Sequence, residues 1–582
     1  MPVPVLLFPG SRSLWAALGG SALSLLLVLR WLRRRSVRRA IQRARERRGR
    51  ALHRMEDTVC RLSAQHPVDD PESILSLSLN ELSQKLNDGS LSPEMVLHCF
   101  MGKALEVTGE LNCVVDYLSE CEEQLAELRL QKTKGPLYGI PISVKDNYSC
   151  EGHDSTLGLL KRVNLPARTD SVIVQVLKRK GAVPFVKTNV PQSMLNYDCS
   201  NPLYGQTLNP LNHKKTPGGS SGGEGALIAG GGSILGIGSD IGGSIRFPSV
   251  FCGLCGFKPT GNRLSKKGIV SSSPGQKSVT PMSGPIARDV DSLVLFMRSL
   301  LCEDMFDLDS TVPPLPFNEE VYSSTHPLRI GYYETDGFTM ATPSMRRAVL
   351  ETKALLEDAG HKLVPFTPPS LETALFGLTL KGLLADGGST FLDNFKGDLV
   401  DPNLKSQVTM YALSSHLKSL LSFIVKPVFP RLAAVLQNTR EIRSIKTLWK
   451  HHIEVETYRQ EFIELWKKQK LDAVLCPILG PALTIGYPGQ LSIAVSYAIL
   501  YNLVDFPAGV VPVTKVTNED EEDLKNYVGH YKDLWDKLLK KAVSDGVGLP
   551  VAVQCVALPW QEEQCLRLMK EVETVTQRKA RE

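Results

Sequence analysis

One stretch limits what this chain can fold into more than any other. Pro217 to Pro248 opens Pro-Gly-Gly-Ser-Ser-Gly-Gly-Glu-Gly-Ala and closes Asp-Ile-Gly-Gly-Ser-Ile-Arg-Phe-Pro. A flexible linker of that glycine content would be polar throughout, but here Ala226-Leu-Ile-Ala229 and Ile234-Leu-Gly-Ile237 are apolar enough to be buried. Glycine lacks Cβ, so buried glycine-serine sequence lets backbone N–H groups converge on an anion or a developing oxyanion. The stretch therefore reads as the floor of an active site, and a large fold is needed to bury it.

With 582 residues, 42% apolar and 22% charged, the chain has the composition of a globular protein with a sizeable core. Its net charge of +6 is unevenly placed. Arg30 to Arg54 holds twelve arginines and one acid, Glu46, a local +11 that leaves −5 for the rest. A nucleic-acid-binding surface would spread its basic residues over the fold, so no nucleic-acid partner is expected. The asymmetry instead puts something anionic beside the basic segment alone. Leu14 to Leu29 is apolar and uncharged, and Arg30, Arg33, Arg34 and Arg35 follow it at once. A cleaved signal peptide carries its charge ahead of the apolar run. The order here predicts an uncleaved transmembrane anchor over residues 1–32, a basic juxtamembrane segment over 33–75 and a catalytic domain over 76–582 on the cytoplasmic side. A transit peptide or an interfacial helix is the competing reading.

Leu77 to Leu130 reads as largely helical, with Cys113-Val-Val115 as a short strand. Tyr138–Lys145 predicts a strand that ends in a lysine, Ser171–Arg179 a helix and Ala182–Val186 the next strand. Alternation returns at Leu328–Tyr333, Pro343–Ala359 and His361–Pro365, and Asp472–Cys476, Phe506–Val513 and Leu549–Gln554 read as central strands. The fold class is α/β, a large mixed central β-sheet covered by helices on both faces, with sites at strand ends. Asn518–Glu522 reads as an acidic surface loop. In the loop Leu308–Pro327, Pro313-Pro-Leu-Pro316 matches P-x-x-P, which an SH3-type partner could bind and which also serves as a stiff connector.

Tyr411 to Leu436 stands apart. Leu413, Leu417, Leu420, Leu421 and Ile424 share a helical face, Lys418, Lys426 and Arg431 supply basic flanks, and Pro427 and Pro430 divide the segment. It reads as an amphipathic hairpin over 411–436 that dips into one leaflet, or as a core helix pair. The twelve cysteines are scattered, as reduced thiols are, and Cys252-Gly-Leu-Cys255 has no second pair nearby, so neither a metal nor another cofactor is expected.

Several chemistries fail on spacing. Neither a P-loop nor G-x-G-x-x-G after a strand occurs. Gly218-Gly-Ser-Ser-Gly222 fits G-x-S-x-G, but a nucleophile elbow needs a buried strand before it, and His213-Lys-Lys-Thr-Pro217 is polar. No histidine lies within the glycine-rich block to act as base. What remains is a serine activated by a lysine whose amine burial keeps neutral. Lys145, ending an apolar strand, is placed for that, though a lysine at a strand end is also an ordinary surface residue.

Two separated motifs, Gly218-Gly-Ser-Ser-Gly-Gly223 and Asp240–Pro248, follow a Gly139-Ile-Pro-Ile-Ser-Val-Lys-Asp146 segment in an order that resembles the amidase signature family. The N-terminal anchor, Asn189–Met194, Tyr197–Leu203, the hairpin and Gly548–Gln561 extend the resemblance over essentially the whole chain, towards the family's membrane-bound branch that acts on fatty acid amides. Leu195 departs from that branch, which has an aromatic residue there. The resemblance implies Ser244 as nucleophile, Ser220 as proton bridge after a cis peptide, and Lys145 as base. It implies oxyanion donors at Ile241, Gly242, Gly243 and Ser244, support from Ser221 and Arg246, and a backbone contact to substrate at Met194. It further implies a homodimer in an endomembrane such as the endoplasmic reticulum. The implied substrates are N-acylethanolamines such as anandamide and primary amides such as oleamide, with secondary esterase activity. A glutamyl-tRNA amidotransferase-type subunit and a non-catalytic membrane lipid-binding protein are the alternatives.

Overall fold

A computed structural model describes residues 11–131 and 133–581, without the side chains of 11–26, 30 and 33. Eleven strands form one mixed sheet among these residues. In chain order they are β1 Val114–Tyr117, β2 Pro141–Lys145, β3 Val183–Thr188, β4 Leu235–Asp240, β5 Cys255–Lys258, β6 Met282–Ala287, β7 Arg329–Tyr332, β8 Lys362–Pro365, β9 Ala473–Pro477, β10 Ala508–Lys515 and β11 Pro550–Val556. Their order across the sheet is β1-β3-β2-β4-β6-β5-β10-β11-β9-β7-β8. β2 runs parallel to both β3 and β4, with Val144 opposite Ile237, while β4 runs antiparallel to β6. Central strands such as β2, β3 and β11 are buried on both faces, which is why they are mostly apolar without strict alternation, and their few polar residues, Ser143, Lys145, Lys187, Thr188 and Gln554, are buried too.

The helices that matter for the site are α1 Ser11–Gln65, α2 Gly222–Ala229, α3 Arg246–Cys252, α4 Lys405–Tyr411, α5 Ser415–Val425, α6 Pro430–Asn438, α7 Ile445–Lys468 and α8 Ser496–Leu503. α2 and α3 are almost wholly buried, so the glycine-rich stretch lies inside the protein as its apolar content predicts. Of the anchor expected over 1–32, residues 1–10 lie outside the described residues and 11–32 belong to α1, which continues without a break through the basic segment. Val37, Ile41, Ala44, Ala51 and Met55 recur at helical spacing and are buried against the body. Several of the arginines are consequently structural. Arg45 donates to Leu203 O at 2.8 Å, Arg48 to Val114 O at 2.7 Å, and Arg47 pairs with Asp154.

Three expectations change. The segment Leu308–Pro327 is not all loop, because Glu319–Ser323 forms a short helix capped by Asn318, whose side chain accepts from Val321 N. Asn518–Glu522 is not a loop but the start of a helix, Asn518–Leu524, begun by a capping box in which Thr517 and Asp520 exchange side-chain and backbone hydrogen bonds. Within the hairpin, Lys418 and Arg431 are not basic flanks. Lys418 is 1% exposed and donates to Thr439 O at 2.9 Å, and Arg431 is buried against Asp533 and Asp536, so both cations point inward. Leu417, Leu420, Phe423, Ile424 and Val428 point outward instead, with Ile445, Trp449 and Ile453 of α7 also exposed. Among the described residues no single helix is long and apolar enough to cross a bilayer, although Pro402–Tyr411 and Ser415–Val425, bent by 100°, reach that length and apolarity together.

Candidate active site

The parallel strands β2 and β4 lie side by side in the interior of the sheet and end together, which brings Lys145 beside Ser239 and Asp240. Lys145 Nζ lies 2.8 Å from Ser220 Oγ, 2.9 Å from Ser239 Oγ and 3.3 Å from Ser239 O. Its side chain is fully buried, and burial lowers the amine to about 7 against the pull of Asp240 and other acids. Near neutrality the amine is therefore available as a proton acceptor for the Ser220 hydroxyl. Ser220 follows Gly219 through a cis peptide bond. Gly219 carries no Cβ because one would meet Tyr197 Cα at 2.8 Å and Asn196 O at 2.9 Å.

The second loop is fixed by Asp240. Its carboxylate accepts from Gly243 N at 2.8 Å and Ile245 N at 3.1 Å, and pairs with the Arg246 guanidinium at 2.9 Å. Burial alone would raise this carboxyl, but Arg246 and the backbone donors hold it well below the usual carboxylate range. Arg246 is itself fully buried and reaches Ala498 O, Asn502 Oδ1 and Gln554 Oε1 at 2.9, 2.6 and 2.7 Å. Ser221 ties the two loops together, its N–H donating to Ser244 O at 3.1 Å.

Of the four N–H groups expected to face an oxyanion, that of Gly243 is occupied by Asp240. Those of Ile241, Gly242 and Ser244 make no hydrogen bond among the described residues. Gly243 has φ 114° and its missing Cβ leaves room for the Phe247 ring. Ile241, Gly242 and Ser244, with Ser220 and Gly219, line a cavity of about 300 Å³ whose other walls are mainly apolar. Met194 and Leu195 line it too. Ser193 and Met194 both hold φ 61°, a conformation that residues with a side chain rarely adopt, so the chain beside the cavity turns sharply at this point. Tyr411 at the end of α4 and Val435 of α6 also line it, so the hairpin that is apolar outside forms a wall of the cavity inside.

The structure thus gathers Lys145, Ser220, Ser221, Ile241, Gly242, Gly243, Ser244 and Arg246 in one place, with Met194 on the cavity wall. Sequence reasoning gave no role to Ser239, Asn147, Glu224 or, although it opens the second motif, Asp240. Asn147 Nδ2 lies 3.3 Å from Ser239 Oγ. Glu224 is buried where it accepts from Ser143 Oγ at 2.5 Å and Thr188 Oγ1 at 2.7 Å, and burial raises its carboxyl to about 7. The only signal for Glu224 was an acid inside an otherwise uncharged glycine-rich run. Cys252 and Cys255 are both buried thiols that burial makes hard to ionise. Among the described residues no cluster of His, Cys, Asp and Glu could hold a metal ion.

Comparison with known proteins identifies the family. The family model described as Amidase matches residues 95–566. The chain is 56% identical over 570 residues to "Fatty-acid amide hydrolase 1" of Sus scrofa, covering 97% of this chain and 98% of that protein. It is also 56% identical over 449 residues to "Vitamin D3 hydroxylase-associated protein" of Gallus gallus, covering 77% of this chain and 97% of that one. A solved structure of "Fatty acid amide hydrolase" superposes with TM-score 0.77 at 26% identity, over 92% of this chain and 94% of that one. With the family model spanning most of its length and its sheet delivering this serine-lysine constellation, the chain belongs to the amidase family of hydrolases.

Proposed function

We propose that this protein is a membrane-anchored serine hydrolase that cleaves long-chain fatty acid amides, N-acylethanolamines and primary amides among them, to a free fatty acid and an amine or ammonia. The observation that carries the reading is the buried amine of Lys145, near 7 and 2.8 Å from Ser220 Oγ, beside the loop of Ser244. Ser244 attacks the amide carbon while its proton passes through Ser220 to Lys145. The N–H groups of Ile241, Gly242 and Ser244 face the developing oxyanion, each such donor being worth about 3–4 kcal/mol in comparable sites. The proton returns through Ser220 to the leaving nitrogen, which leaves poorly without it, and the same relay serves esters as a secondary activity. Water then hydrolyses the acyl-enzyme. Met194 offers its backbone to the substrate, Arg246 holds the nucleophile loop through Asp240, and Ser221 holds the two loops together.

The mainly apolar cavity suits an acyl chain, and similarity to proteins called fatty acid amide hydrolase supports that substrate class. In this reading substrate enters from one leaflet past the 411–436 hairpin, whose Phe423 and Val428 are about four-fifths exposed. Residues 1–32 anchor the chain, the catalytic domain lies on the cytoplasmic side of an endomembrane such as the endoplasmic reticulum, and the protein acts as a homodimer. Pro314, Leu315 and Pro316 are exposed in an irregular segment, which leaves them open to an SH3-type partner. A fluorophosphonate probe tests the chemistry: labelling is lost in Ser244→Ala and retained in every His→Ala variant, and persistent labelling of Ser244→Ala would contradict it. For the membrane, protein lacking residues 1–32 still sediments with vesicles, and Phe423→Glu with Val428→Glu releases it. Full solubility before those substitutions would contradict the hairpin's role.

A further inference from the structure

The cavity wall holds polar groups that amide cleavage does not use. Gln407 of α4 lies three residues after Leu404 and four before Tyr411, so all three occupy one helical face. Leu404 and Tyr411 pack with Leu384 and Phe391 into an apolar cluster bordered by Met194, Leu195 and Leu380. Gln407, in the middle of that face, lines the catalytic cavity, is 6% exposed, and has a buried Oε1 with no hydrogen-bond partner among the described residues. Thr379 repeats the pattern on the helical segment Thr373–Leu380. It lines the same cavity, is 1% exposed, and its Oγ1 has no partner among the described residues.

A buried carboxamide without a partner is destabilising, whereas leucine in its place would suit an unsubstituted hydrocarbon chain. Two such groups on one cavity wall are therefore at odds with a site that holds only methylene chains. The lining from their own segments, Leu380, Leu383, Leu384 and Tyr411, forms an uncharged apolar cluster, which suits a neutral group. A carbonyl oxygen with no partner calls for a donor, and a threonine hydroxyl both donates and accepts. We propose that Gln407 and Thr379 form a polar subsite that selects fatty acyl amides carrying a hydroxyl group within the acyl chain over plain chains of the same length. The chain hydroxyl donates to the Gln407 carboxamide and accepts from the Thr379 hydroxyl or the Gln407 Nε2. This specificity rests on the amide-hydrolase reading above.

The test uses purified full-length protein and two sets of octadecanoyl ethanolamides, one plain and one with a single hydroxyl moved along the chain. The ratio of kcat/KM for hydroxylated over plain substrate peaks at one hydroxyl position in the wild type. It falls roughly 10-fold or more in Gln407→Leu, with a smaller fall in Thr379→Val, because a site built around a substrate hydroxyl loses that discrimination when its partner becomes apolar. Gln407→Leu also unfolds at an equal or higher temperature, which separates lost recognition from lost structure. Hydrolysis of both sets with a ratio that neither substitution moves would overturn this inference alone. Hydrolysis of neither set by the wild type would overturn the amide-hydrolase reading and this inference with it.

Discussion

Lys145 and Arg246 are both fully buried and both feel the charge of Asp240, yet the fold treats them in opposite ways. Arg246 has a carboxylate at 2.9 Å and three further oxygens at 2.6–2.9 Å, and its planar fork is well suited to that fixed set. Among the described residues Lys145 has two serine hydroxyls and a carbonyl within reach and no carboxylate, and its amine is lowered to about 7. The difference separates two uses of a buried cation. One is paired and immobilises the loop that carries Ser244, and the other is left without a counter-ion and so exchanges a proton near neutral pH.

That contrast can be broken at either end. Lys145→Met is expected to reduce amide hydrolysis by roughly 10²–10⁴-fold while its urea midpoint stays equal to or above that of the wild type, since a desolvated amine has been removed. A matched loss of activity and stability would make Lys145 a structural residue. Arg246→Met leaves Asp240 buried and uncompensated and should cost about 3–5 kcal/mol in denaturant unfolding. Adding Asp240→Asn should restore part of it, and no restoration would mean that the pair does not act as a unit. Asn502→Ala removes a single partner of both groups and should cost about 1.5–3 kcal/mol, with the pH profile of activity unchanged.

The remaining effect is a slope. The folded chain gives up the Lys145 proton near 7, whereas a free lysine holds it to about 10.4. Between those values the unfolded state carries the extra proton, so this group adds stability as pH rises from 7 towards 10. The wild-type stability should climb relative to Lys145→Met across that window. Asp240 acts in the opposite range: its depressed carboxyl contributes stability above about pH 3.9 that is lost as pH falls below it. Parallel wild-type and Lys145→Met curves from pH 7 to 10 would contradict the neutral amine.

Much of this was legible before any coordinates. The lysine-terminated strand is β2, the two glycine motifs meet beside it, and Gly219–Ser220 is cis. Local signals sufficed because each of those segments announces itself through apolar runs, glycine and serine. The Arg246 network was not legible, since Asn502 and Gln554 come from α8 and β11, some 256 and 308 positions later, and neither has a local signature. Lys418 and Arg431 were misread for a related reason: helical spacing gives a face but not which side is covered. Asn518–Leu524 was misread differently. Its capping residues were visible, but acidity suggested a loop. Gln407 left no mark in the sequence, because its meaning depends on having no partner in a cavity that only the folded chain encloses.

The central claim, that the Lys145 amine governs the reactivity of Ser244, is tested most directly by the pH dependence of fluorophosphonate labelling at Ser244. The rate should rise with pH, level off above an ionisation near 7, and become slow and flat in Lys145→Met. A wild-type rate that is flat from pH 5.5 to 8.5, or an unchanged ionisation in Lys145→Met, would contradict the account.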